Sequence, residues 1–167
     1  MNKRFAIPIL VGALLALAPT GNQNREISLD TVRGYLNRMQ AQYKPHPKSE
    51  RTFVVTRVSN EHAERLDLYV ELRKDNSLVL TAYAKVRGRY FNASRVTDRE
   101  KLFLRLLRTN QRAFATFFVD EQGDIGARFT FTTEEGVGYE PFRVAANELM
   151  RIVDQYTPIV SSHMAKD

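Results

Sequence analysis

The chain has 167 residues, of which 43% are hydrophobic and 26% are charged, and these proportions are typical of one globular domain. It contains no cysteine, which excludes disulfides, zinc-thiolate sites and a lipid-modified N-terminal cysteine. The formal net charge is +6, a mild excess that favours anionic partners but does not by itself indicate nucleic acid.

The N-terminal segment has the pattern of a secretory signal peptide. A basic pair at positions 3 and 4 precedes an apolar run over 5–17, and Ala16-Leu17-Ala18 has the small-residue form of a cleavage site. The apolar run is shorter than the roughly 20 residues that a membrane span needs. We therefore predict a signal peptide over 1–18, a linker over 19–27, and a periplasmic or secreted protein, with an uncleaved anchor as the alternative.

A helix and three strands are predicted next. Ser28 is a candidate N-cap, and the apolar residues after it recur at helical spacings until the prolines at positions 45 and 47. A β-branched run and two segments of strict alternation then predict strands over 52–58, 66–73 and 78–85. The glycine-containing stretch 86–96 either extends the third strand or forms a loop.

The second half predicts a helix, a hairpin and a closing helix. Thr97-Asp98-Arg99-Glu100 is a capping box that begins a helix with one apolar and one basic stripe. Strands over 114–119 and 125–132 flank an acidic turn with Gly123, and the last helix is expected to end at Pro158. The predicted order, α-β-β-β-α-β-β-α, is that of an α+β domain over 28–160, with helices packed on an antiparallel sheet and a flexible tail over 161–167.

The same half carries a resemblance to a known family. Leu106-Leu107-Arg108-Thr109-Asn110 at a helix end, the strand and turn from Phe114 to Gly123, a second strand, and a last helix with Asp154 and Pro158 resemble the YbjN-like family of sensory transduction regulators. The resemblance implies a type III secretion chaperone-like fold, whose best-understood members are small dimeric chaperones that bind extended client segments. It implies a binding module without a cofactor, and it transfers no catalytic residues.

Two surfaces are candidates for binding a partner. One is a basic stripe on the second helix with basic residues upstream of it, which would contact an anionic surface or an acidic partner unless it is only a solvated helix face. Its residues are Arg87, Arg89, Arg95, Lys101, Arg105, Arg108 and Arg112. The other is the polar sheet face with Tyr69 and Tyr83, which would form a binding platform or a dimer interface unless a helix covers it or it is simply half exposed.

No pattern in the sequence indicates catalysis. There is no nucleophile motif, metal-ligand spacing or paired acid, and the acidic turn at 120–124 lacks the alternating oxygen ligands of a calcium loop. We therefore predict a non-enzymatic, exported protein- or peptide-binding module, with no cofactor and no nucleic-acid partner, and with a homodimer as one form of partner. The alternative is an envelope-associated protein that binds an anionic surface through the basic helix face.

Overall fold

A computed structural model describes residues 27–110, 114–132 and 136–165, and these residues form three α-helices and one antiparallel sheet. The helices are α1 (Leu29–Arg38), α2 (Arg99–Asn110) and α3 (Tyr139–Ser162). The strands are β1 (Tyr43–His46), β2 (Ser49–Arg57), β3 (Arg65–Leu72), β4 (Leu78–Val86), β5 (Arg89–Tyr90), β6 (Thr116–Val119) and β7 (Ile125–Phe131). The strand order is β1-β2-β3-β4-β7-β6, and β5 pairs with β4 beside this path. The predicted α+β class is confirmed.

The first helix is shorter than the sequence predicts, and a strand follows it. Ser28 caps α1, because its hydroxyl accepts a hydrogen bond from the N–H of Thr31 at 3.0 Å. The helix ends at Arg38, and Gln40 adopts a left-handed φ of 54° that turns the chain. Pro45 does not terminate a helix; it lies in the edge strand β1, where a missing N–H donor is tolerated.

One core holds the sheet and the helices together. Alternate residues of β3 and β4 point to the helix side, where they meet the apolar faces of α1, α2 and α3. Leu66, Leu68 and Leu80 are fully buried there, and each contributes about 1.5–3 kcal/mol by leaving water. Phe142 and Leu149 bring the long helix α3 against them. The alternation in the sequence therefore predicted the inner face correctly.

The stretch 86–96 forms a tight hairpin and a short helical turn. Arg87 and Gly88 have φ values of 54° and 73°, the paired left-handed conformation that two-residue hairpin turns use. The chain then returns as β5 beside β4, and a 3-10 helix covers Ala93–Arg95. Tyr90 of β5 pairs with Lys85, so the turn carries a third tyrosine to the polar face of the sheet.

The closing helix continues past its proline. The predicted end was Pro158, but α3 runs to Ser162, and buried Val160 anchors the last turn to the core. Proline removes one backbone hydrogen bond, and packing of the helix face outweighs that loss. Met164 then bridges to Val96, so the chain is still paired with the domain beyond the position where the tail was predicted to begin. The predicted signal peptide, most of the linker, and residues 166–167 lie outside the described residues.

Candidate functional site

A groove of about 410 Å³ opens on the polar face of the sheet, and we call it the tyrosine groove. Register places Tyr69 opposite Thr81 and Tyr83 opposite Asp67, so both tyrosines lie on the face that points away from the core cluster. Tyr69 and Tyr83 both line the groove, and both are half-buried. The β1–β2 hairpin, β5 and the turn between β6 and β7 supply the other walls.

The floor of the tyrosine groove is a packed aromatic cluster. The ring centroids of Tyr69 and Tyr83 are 5.7 Å apart at 88°, and those of Tyr83 and Tyr90 are 5.4 Å apart at 45°. His46 approaches Tyr69 at 5.8 Å, and Phe118 approaches Tyr83 at 6.0 Å. These are the edge and tilted arrangements that aromatic pairs prefer, so the rings form a rigid surface that loses little entropy on binding.

Gly126 explains why the ring of Tyr83 can lie flat on the sheet. A Cβ atom at position 126 would be 2.8 Å from Cε1 of Tyr83 and 3.0 Å from the carbonyl oxygen of Ala82. The first distance is shorter than real Cβ atoms show and the second is very tight, so a side chain at position 126 would displace the ring of Tyr83. A residue on β7 therefore leaves the space in which the ring of Tyr83 packs.

The tyrosine hydroxyls are fixed by carboxylates. The hydroxyl of Tyr83 donates to Oδ2 of Asp120 at 2.9 Å, and that of Tyr90 donates to Oδ2 of Asp67 at 2.5 Å. Burial and then the bond to the carboxylate raise the pKa of both tyrosines well above its usual value. The hydroxyls of Tyr69 and Tyr90 are 3.2 Å apart, which links Tyr69, Tyr90 and Asp67 into one hydrogen-bond network, while Tyr83 contacts the other two tyrosines through its ring.

Asp67 is the buried centre of that network. Its side chain is fully buried, and it accepts from Thr56 at 2.9 Å and from Arg65 at 2.7 Å, with Nζ of Lys85 at 3.7 Å. Burial alone would raise the pKa of Asp67, but the bonds from Arg65, Tyr90 and Thr56 outweigh it, and the pKa is lowered. A paired carboxylate of this kind holds Tyr90, and with it the aromatic cluster, in place.

Three of the predicted basic residues line a second and larger groove, between α2 and α3, which we call the basic groove. It measures about 1150 Å³, and its lining includes Lys101, Arg105 and Arg108 together with Arg151 from α3. Arg151 bonds Glu148 on its own helix, whereas the three α2 cations are exposed and make no ion pair with the described residues. The basic stripe of α2 therefore forms one wall of the basic groove and is more than a solvent-exposed helix face.

The rest of the predicted basic set does not join this groove. Arg87, Arg89 and Arg95 line a separate hollow of about 240 Å³ near the end of α3. Arg112 lies outside the described residues. The sequence thus grouped cations that the fold places in two separate hollows.

Three lining residues were missed at the sequence level. Tyr90 could have been predicted as a groove residue only if the turn at Arg87 and Gly88 had been predicted first. Arg128 is the one charged residue of β7, which was an available signal, and it lines the tyrosine groove. Arg151 adds the only α3 cation to the lining of the basic groove.

The described ranges hold neither a cluster of metal ligands nor a helix that could span a membrane. No group of three or more His, Cys, Asp or Glu side chains in 27–110, 114–132 and 136–165 is placed to share a metal ion. In the same ranges, no helix combines the length and apolarity needed to span a membrane.

Comparison with known proteins identifies the fold. No family model and no curated protein matches the chain. Among solved structures, the chain is similar to YbjN from E. coli, proposed to be a transcription regulator, with 16% identity over 84% of this chain and 97% of that one and a TM-score of 0.58. ExsC in the ExsC–ExsE complex matches at 15% identity over 76% and 88% of the two chains, with a TM-score of 0.49. The predicted likeness is therefore confirmed at the level of structure: the chain has the fold of YbjN.

Proposed function

We propose that this protein is a non-catalytic module that binds an extended segment of a partner protein in the tyrosine groove. The observation that carries the proposal is the half-buried, tightly packed aromatic floor of Tyr69, Tyr83 and Tyr90 on the face of the sheet that points away from the core cluster. Aromatic side chains that are already ordered supply contact area at low entropic cost, and tyrosine is enriched where proteins meet. The surrounding hydroxyl and carboxylate groups offer acceptors for the N–H groups of an extended chain.

A selection from random displayed peptides, followed by calorimetry with the selected peptides, tests this proposal. We expect Tyr69→Ala to weaken binding roughly tenfold or more, because it removes part of the aromatic floor. Val144→Ala is the matched control, since Val144 is an exposed apolar residue of α3. Equal affinity of the wild type and Tyr69→Ala would reject the tyrosine groove as the binding surface.

A second candidate function is favoured by the basic groove. Leu104 and Phe114 expose 46% and 44% of their surface in the lining that holds Lys101, Arg105 and Arg108. An exposed surface that is both apolar and cationic suits an anionic amphiphilic layer, such as the surface of an acidic membrane. The protein would then be held on the cell envelope while the tyrosine groove stays accessible.

Sedimentation with phosphatidylglycerol vesicles tests the second function. We expect binding at low salt that falls as salt rises and is lost when Lys101, Arg105 and Arg108 are changed to glutamine. Changing Arg33, Arg38 and Arg143 to glutamine removes the same charge from α1 and α3 and serves as the control. If both triple variants lose binding equally, net charge alone explains the association and the basic groove has no special role.

Export is part of the proposal and rests on the N-terminal pattern described above. An alkaline phosphatase fused after the chain reports on the compartment, since that enzyme needs disulfides that form outside the cytoplasm. We expect an active fusion with residues 1–18 present and an inactive one without them. Activity in both fusions, or in neither, would reject the proposed export.

A further inference from the structure

Arg128 of β7 brings to the tyrosine groove a positive charge that forms no ion pair with the described residues. Its guanidinium carbon lies 4.3 Å from the ring centroid of Phe118. Its Nε atom is buried and has no hydrogen-bond partner, and the side chain makes no ion pair within the described part of the chain. Buried donors in folded proteins are ordinarily satisfied, and a cation in this position ordinarily has a counter-charge.

The acidic side chains of the same groove are already engaged elsewhere. Asp120 accepts a tyrosine hydroxyl and also the backbone N–H groups of Gln122 and Asp124, at 3.0 and 2.8 Å. The carboxylate of Asp124 accepts a hydrogen bond from the side chain of Asn92 at 2.9 Å, and Glu71 forms an ion pair with Arg73 at 3.6 Å. Each of these three acids thus has a local partner, and the guanidinium of Arg128 is left without a carboxylate partner among the described residues.

We propose that Arg128 anchors a carboxylate carried by the extended segment that the tyrosine groove binds. The inference rests on the proposed function, because it names the group by which the segment is recognised. A guanidinium offers parallel N–H donors whose spacing matches the two oxygens of a carboxylate. Contact with the ring of Phe118 limits the rotation of the guanidinium group, and the partial burial of Arg128 reduces the competition from water.

A carboxylate fits this position better than a phosphate. Phosphate recognition in proteins generally uses a cluster of arginines, whereas the groove contains a single arginine. Glu71, Asp120 and Asp124 also line the groove, and they repel a doubly charged group more strongly than a singly charged one. The same three acids can accept hydrogen bonds from the N–H groups that flank a carboxylate in a peptide, which a free inorganic anion would not supply.

The test is NMR of the labelled protein with three probes. These are a short acetylated leucine–alanine peptide with a free C-terminal carboxylate, the same peptide with a C-terminal amide, and the amide with one internal glutamate. The Nε–H signal of Arg128 reports on the guanidinium, and the ring signals of Tyr69 and Tyr83 report on occupation of the groove.

We expect the carboxylate peptide to shift the Arg128 signal and to bind roughly tenfold tighter than the amide. The glutamate peptide shows whether the carboxylate must be at the chain terminus. If a side-chain carboxylate is sufficient, this peptide should bind as tightly as the peptide with the free C-terminal carboxylate. If a chain terminus is required, it should bind only as tightly as the amide peptide. If acid and amide shift the tyrosine signals with equal affinity and leave the Arg128 signal unchanged, the carboxylate anchor is refuted while peptide binding stands. If no peptide shifts the tyrosine signals, the proposed function fails first.

Two substitutions of Arg128 distinguish the contribution of the planar guanidinium group from that of its positive charge. Arg128→Gln should abolish the preference for the acid over the amide, and Arg128→Lys should keep only part of it because an ammonium lacks the fork. Arg143→Gln, which removes a charge from α3, should retain the full preference. Retention of the preference in Arg128→Gln would overturn the inference, and unchanged amide affinity in that variant shows that the groove is still folded.

Discussion

The carboxylate of Asp154 in α3 holds the N–H of Ala63, 91 residues away, at 2.8 Å. The same carboxylate accepts from the N–H groups of Glu61 and His62 at 3.0 and 3.1 Å, so it organises the loop between β2 and β3. Asp154 is only 7% exposed. One side chain thus ties the longest helix to a loop of the sheet, which gives a structural reason for the aspartate near the end of α3.

We expect Asp154→Asn to lower the free energy of unfolding by about 1.5–3 kcal/mol, because charge-assisted bonds to backbone donors are weakened or lost. Urea denaturation measures this. Asp30→Asn, in an exposed ion pair with Arg33, is the control and should cost less than about 1 kcal/mol. Equal effects of the two substitutions would show that the contact between α3 and the loop contributes little.

The effect of Asp154→Asn should also depend on pH. Burial alone would raise the pKa of Asp154, but bonds from the N–H groups of Ala63, Glu61 and His62 outweigh it, and the pKa is lowered. A depressed folded-state pKa gives stability above the unfolded value of about 4 that is lost as pH falls through the folded value. The difference between wild type and variant should therefore be constant at neutral pH and shrink below about pH 4.

Sequence reasoning succeeded where the information is local. Alternation in the segments at 66–73 and 78–85 identified the inner face of the sheet, since every second side chain of a strand shares a face whatever its neighbours are. β1 was missed because Pro45 reads as a helix terminator until its pairing with Phe53 on an edge is known. Likewise, Tyr83 was placed on the polar face, but its contact with Asp120 depends on how β7 pairs with β4.

We expect Tyr90→Phe to lower the free energy of unfolding by about 1–2 kcal/mol, because it removes a hydroxyl donor from the buried carboxylate of Asp67. The pKa of Asp67, followed by carboxyl carbon NMR, should rise in the variant because one of the bonds that lower it is gone. Tyr43→Phe is the control, since it removes a hydroxyl that donates to exposed Asn37, and its effect should stay within about 0.5 kcal/mol. An unchanged pKa of Asp67 in Tyr90→Phe would contradict the proposed network.

Two glycine-to-alanine substitutions should have opposite effects. At Gly126 the added methyl would collide with the ring of Tyr83, so we expect a loss of about 1–3 kcal/mol and weaker binding of groove ligands. At Gly34, in the middle of α1, nothing lies within 4 Å of the added methyl, so alanine should raise stability by about 1 kcal/mol through its helix propensity. Thermal denaturation distinguishes the two. Stabilisation by Gly126→Ala would mean that the position of the Tyr83 ring does not require the absence of a side chain at residue 126.

Asn110, at the end of α2, holds the edge strand β6 through both polar atoms of its side chain. Its Oδ1 accepts from the N–H of Phe117 at 2.7 Å, and its Nδ2 donates to the carbonyl of Phe117 at 3.1 Å. Asn110→Asp keeps the first contact but sets a carboxylate oxygen against the carbonyl. We therefore expect it to lower the free energy of unfolding by about 1–3 kcal/mol, as for a buried polar group left without its partner.

Hydrogen exchange at Phe117 measures the effect on β6 directly. In Asn110→Ala the N–H of Phe117 loses its acceptor, and its exchange should accelerate roughly tenfold or more. Asn37→Ala, on the exposed face of α1, is the control and should leave exchange at Phe117 unchanged. Unaltered protection of Phe117 in Asn110→Ala would mean that pairing with β7 alone fixes the edge strand, and that the asparagine at the end of α2 serves another purpose.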